Sequence, residues 1–200
     1  MQIRVVASSG VGAVLAVTLG AVMVSAQDLE GAFKEVREHV AHKKYSRALE
    51  SLGAARRQIE VLHVEALKVF LPDVVSGYTG APVKVTTALG VVSLMRSYTR
   101  GAVTVGVAIR VGTTGGGQGS FGTITQLGRT MAAMRQGGGE KSVDVAGIPG
   151  LVGESRGKTT LTVFLASGGV VILDGAEVSE MKALAAGLNL TGLDAYLAVK

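Results

Sequence analysis

The chain has 200 residues and no cysteine, which excludes disulfides, thiol nucleophiles, cysteine-held zinc and a lipid-modified cysteine. Apolar residues make up 48% and aromatic residues only 4%, so core material is ample. The net charge of +5 is unevenly spread: no acid lies between Asp73 and Glu140, where Lys84, Arg96, Arg100, Arg110, Arg129 and Arg135 are all basic.

At the N-terminus, Arg4 precedes an apolar run from Val11 to Val24, and Val24-Ser25-Ala26 offers small or neutral residues at a cleavage position. This is the pattern of a secretory signal peptide over residues 1–26, which implies a periplasmic or secreted protein. An apolar run of about 14 residues falls short of the roughly 20 that cross a bilayer as a helix, so no stable membrane span is expected after cleavage.

Residues 27–72 read as an αα-hairpin. Asp28 can cap a helix carrying Leu29, Phe33, Val36 and Val40 on one stripe, and Lys43-Lys44-Tyr45 marks a turn. A longer helix from about Ser46 places Leu49, Leu52, Ala55, Ile59, Leu62, Ala66 and Phe70 in helical phase, with Pro72 beyond its end. One hairpin is too little for a repeat array, so its stripe must be covered by the rest of the chain, by a second copy or by another protein. Packing within the chain is the expectation.

Residues 73–200 read as an α+β domain. Pro72 to Pro82, with Gly77 and Gly80, reads as a linker. Strands are expected at Val83–Thr87, Val91–Tyr98 and Ala102–Val111, the last alternating Val103, Val105, Val107, Ile109 and Val111 against Thr104, Gly106, Ala108 and Arg110. A glycine-rich loop at 112–119, a helix over about 120–135 and Gly137-Gly138-Gly139 come next. Four runs then follow with tight glycine-containing breaks: Lys141–Val145, Ile148–Glu154, Thr159–Leu165 and Val170–Leu173. Strands joined this closely must be antiparallel. Glu177–Gly187 closes the chain as a helix, with Leu193–Leu197 as a final turn.

Three stretches imitate enzyme motifs. Gly153-Glu-Ser155-Arg-Gly157 fits the nucleophile-elbow pattern, but its glycine precedes a strand, and His39, His42 and His63 all lie upstream of it. Gly157-Lys158-Thr159 ends like a P-loop, yet Val152 stands where the first glycine belongs and a strand follows. Gly117-Gln-Gly119-Ser-Phe-Gly122 lies between a strand and a helix, but the strand before it alternates and no acid ends the next one. His39 and His42, near Glu35 and Glu38, form no converging metal set. The reading therefore assigns no catalytic, cofactor or metal residues, and no nucleic-acid partner.

The order of elements, with the meander Val143-Asp-Val-Ala-Gly-Ile-Pro-Gly-Leu-Val152, the turn Gly147-Ile-Pro-Gly150, Leu161 and Val163, and Val170 to Leu173, resembles the exported α+β domains of the PsbP and LpqN type over about residues 73–198. The resemblance implies an antiparallel sheet flanked by helices and a binding or assembly role outside the cytoplasm, and it carries over no functional residues. The functional expectation is an exported, non-enzymatic binding or assembly module that meets a protein or an anionic surface, with Arg96, Arg100, Arg110, Arg129 and Arg135 as candidate partner-binding residues. The alternative is a small-molecule or lipid carrier with an apolar pocket between sheet and helix.

Overall fold

The computed structural model describes residues 29–112, 141–155 and 157–198. The stretch expected to be a signal peptide, the glycine-rich stretch beyond Gly112 expected to be a loop, the helix expected over 120–135, Arg129 and Arg135 lie outside the described residues. The chain divides into two compact units, Met1–His63 and Val64–Lys200.

In the first unit, helix α1 spans 29–41 and α2 begins at Tyr45; α2 runs to Lys68, so its last residues belong to the second unit. Lys43 takes the left-handed conformation (φ 57°), and the Lys44 amide donates to the His39 carbonyl at 2.8 Å, which closes the first helix. Ser51 Oγ donates to Glu35 at 3.3 Å, so the α2 face bearing Ser51 meets α1. Ala48 and Ala55 share that face and are buried. Their small side chains let the two helices approach closely. Elsewhere the hairpin surface carries ion pairs such as Arg47–Glu50 at 3.0 Å and Arg56–Glu60 at 2.9 Å.

The second unit is a mixed α+β structure built on an antiparallel sheet with nine strands among the described residues: β1 Val74–Val75, β2 Tyr78–Gly80, β3 Lys84–Ala88, β4 Val91–Arg100, β5 Val103–Gly112, β6 Lys141–Val145, β7 Ile148–Ser155, β8 Lys158–Phe164 and β9 Val170–Asp174. Strands β2 and β3 lie end to end along the same edge of β4, whose other edge pairs with β5, and β6 to β9 form a meander. Pairing of β5 with β9 joins them, giving the order β1-β2-β4-β5-β9-β8-β7-β6, with β3 also on β4. Three of the hairpins turn on two residues with positive φ at both, Ser76-Gly77, Leu89-Gly90 and Ala146-Gly147. That backbone twist matches the twist of the flanking strands.

The stretch expected to be a linker is a hairpin within the sheet. Val74 and Val75 pair with Thr79 and Tyr78, and Tyr78 is fully buried. Glycine there serves tight geometry rather than flexibility: Gly77 supplies a positive φ, and Gly80 leaves room for the Arg96 side chain.

Alternation sends Val92, Leu94, Val105, Val107, Ile109, Val111, Leu161, Val163, Val171 and Leu173 to one face, where they form a continuous core. Helices α3 (Val178–Gly187) and α4 (Leu190–Leu197) fill the other side of that core with Met181, Leu184, Leu193 and Leu197, and the chain just after α2 adds Leu71. Each fully buried leucine contributes about 1.5–3 kcal/mol. Asn189 caps α4 by accepting from the Gly192 amide at 2.9 Å, while Asp194 accepts from the Ser167 amide at 2.7 Å and so ties α4 to the β8–β9 loop. The opposite, outer face is not uniformly wet as alternation predicts. Leu151, Phe164 and Val170 form a second, smaller buried cluster there, with Ile172 packed against it.

Candidate interaction surfaces

The basic residues of the sheet do not act as one open face. Arg96 lies on the inward parity of β4 with Val92, Leu94 and Tyr98, and is buried. Its guanidinium donates to the Leu71 carbonyl, the Asp73 carboxylate and the Gly80 carbonyl, and it stands over the Tyr98 ring at 5.7 Å. The cost of burying this charge is offset by these partners, so its place in the candidate partner-binding set is corrected: it fastens the segment after α2 to the sheet. Tyr98 completes the fastening by donating to the Pro72 carbonyl at 3.0 Å. Burial pushes the Tyr98 hydroxyl up to about 12, against the lowering influence of Arg96.

Arg100 is exposed, but its guanidinium is engaged within the chain. It stacks on the Tyr78 ring at 4.4 Å and pairs with Glu180, which accepts from the Tyr78 hydroxyl as well. Burial, then the bond to Glu180, raise Tyr78 above its ordinary range. This triad pins the β1–β2 hairpin to α3.

Arg110 is different. It is exposed on the outer face, and neither it nor Lys84 has a hydrogen-bond or ion-pair partner among the described residues. Both line a depression of about 330 Å³ whose floor includes Met95, Ala108 and Ile172. The pairing register places Lys84, Met95, Ala108 and Ile172 in one cross-strand row. The depression exists because β5 carries only Gly106 and Ala108 at outward positions between Thr104 and Arg110. At its far end the Asp174 carboxylate leans over Gly106, where a β-carbon would crowd it.

The hairpin presents the second surface. Tyr45, Leu49, Leu52 and Ile59 of the α2 helix are 61%, 68%, 47% and 45% exposed. The stripe divides: Ala48 and Ala55 face α1, while the seam Tyr45, Leu49, Leu52, Arg56, Ile59, His63 repeats at four and three residues, the spacing of a helix that packs lengthwise on another. The helical period alone merges these two neighbouring stripes; only the pattern of alanine against leucine separates them.

Two of the motif imitations lead into a strand. After Gly157, with φ 72°, Lys158 opens strand β8, and Ser155 pairs with Lys158 across a hairpin. A nucleotide loop or nucleophile elbow would instead lead into a helix. The Gly117–Gly122 stretch lies outside the described residues. His42 Nδ1 bonds its own helix at the Glu38 carbonyl, 2.8 Å away, and no group of three metal-binding side chains converges among the described residues. No helix among them is long and apolar enough to cross a membrane. The layer between sheet and helices is occupied by side chains, Leu94, Leu173, Met181, Leu184 and Leu193 all being fully buried.

No protein-family model matches the chain, and neither curated sequences nor solved structures give a match.

Proposed function

We propose that the protein is an exported, non-enzymatic binding or assembly module that recognises an amphipathic helix of a partner protein through the exposed seam of α2. The kinship with PsbP- and LpqN-type domains belongs to this proposal. The observation that carries it is the exposure of Tyr45, Leu49, Leu52 and Ile59 along one heptad-spaced line. An apolar line of this kind in water marks a contact surface, and covering its leucines is worth about 1.5–3 kcal/mol each.

Charge favours a foreign helix over a second copy. Arg56, which is paired with Glu60 at 2.9 Å, lies in the seam, and Arg57 beside it adds a second positive charge, both near the middle of the span from Tyr45 to His63. A fully overlapped copy would bring these arginines together whether the helices ran parallel or antiparallel, and like charges in a seam are destabilising. A partner helix with an acid opposite Arg56 meets no such opposition.

Because the chain lacks cysteine, Leu52→Cys provides a single thiol for a photo-crosslinker. The expected result is a discrete adduct with one other protein, lost on Leu49→Glu and weakened by Arg56→Glu. A disulfide-linked homodimer as the sole product, or an adduct indifferent to both substitutions, contradicts the reading.

A further inference from the structure

We infer that the depression on the outer sheet face is a binding site for a small monocarboxylate with an apolar body. This inference is independent of the hairpin contact and concerns the opposite side of the sheet from the filled layer between sheet and helices.

Gly106 and Ala108 on a central strand leave a hollow that Met95 and Ile172 flank from the neighbouring strands. A hollow of about 330 Å³ lies at the lower end of the range for small-ligand pockets. Its floor is apolar, which suits a hydrocarbon body.

The ends of the hollow differ in charge. Arg110 stands two residues from Ala108 on β5, and Lys84 flanks Met95 on β3. Neither has a hydrogen-bond or ion-pair partner among the described residues, and both cations line the hollow, where an anion would meet them. The planar fork of arginine suits a carboxylate in particular, donating to both oxygens at once. Asp174 lies on the other side of Ile172, beside Gly106. Strand spacing puts its Cα roughly 14 Å from that of Arg110. A ligand anchored at Arg110 and lying along the floor therefore approaches an acid with its other end. A second carboxylate there would be repelled, so the site selects one charged end and one neutral end.

Titration calorimetry of the full chain with octanoate, compared with suberate as a dicarboxylate of equal length, tests the assignment. Octanoate should bind at one saturable site, Arg110→Gln or Lys84→Gln should weaken it by about tenfold or more, and suberate should bind only after Asp174→Asn. These are surface positions, so unchanged unfolding midpoints would show that the variants are folded. Absence of saturable octanoate binding through the millimolar range, binding indifferent to Arg110 and Lys84, or equal affinity of the parent chain for suberate would each overturn the proposal.

Discussion

Gly80 and Arg96 are fitted to each other: a β-carbon on Gly80 would lie within the space taken by the Arg96 guanidinium. Gly80→Ala should therefore cost about 1–3 kcal/mol by overpacking, and much less in an Arg96→Ala background, where the space is open. Arg96→Ala alone should cost at least about 1–3 kcal/mol, because the Leu71 and Gly80 carbonyls lose their donor. Urea unfolding of the four proteins measures the coupling. Additive losses would show that the two residues do not share the space.

That pair also shows how the sequence was readable and where it was not. Strands β4 to β9 were legible to within two residues because long alternation leaves few alternatives. β1 and β2 were not, since strands of two and three residues between Pro72 and Pro82 carry no period to read, and their glycines imitate a linker. The burial of Arg96 was legible in principle, for it continues the inward series Val92, Leu94 and Tyr98. Counting basic residues without their parity joined it to Arg110, which points the other way. The depression was hidden for a different reason: it depends on Lys84, Ala108 and Ile172 lying in one row, and register across strands is set by the folded pairing.

Leu89 is an apolar residue at positive φ (51°) on a hairpin tip, fully exposed. Asparagine tolerates that conformation better and is at home in water. Leu89→Asn should raise stability by about 0.5–1 kcal/mol, and Ala146→Asn should act likewise at φ 53°. Gly90→Ala should lower it. A destabilised Leu89→Asn variant would mean that the leucine is held by contacts within the chain.

Tyr98 should resist ionisation. With its hydroxyl pushed up to about 12 by burial, it stays neutral where an unfolded tyrosine ionises. The unfolded chain therefore loses its proton first, and the stability tied to Tyr98 is complete below about pH 10 and is lost as pH rises towards the folded value. Difference absorbance of phenolate in parent and Tyr98→Phe proteins should coincide until the parent unfolds. A Tyr98 signal appearing in the folded protein near pH 10 would contradict this.

His63 gives a dependence of the opposite kind. Burial lowers its imidazole below the ordinary range. Between the two values the unfolded chain binds the extra proton, so stability is full above about pH 6.5 and falls as pH drops through the folded value. Urea midpoints at about pH 7.5 and about pH 5.5 should differ less in His63→Gln than in the parent. Equal differences would place the acid sensitivity elsewhere.

The proposed function depends on the α2 seam, exposed at Leu49, Leu52 and Ile59, being open to a partner. Replacing Leu49 and Ile59 together by glutamine, a good helix former, with Leu52→Cys kept for the crosslinking arm, tests this by equilibrium unfolding of the purified protein. If the seam awaits a partner, stability should change by no more than about 0.5 kcal/mol per position while crosslinking at the hairpin disappears. A loss of about 2 kcal/mol or more per position would show that these side chains are already part of the core, and the docking proposal would fail.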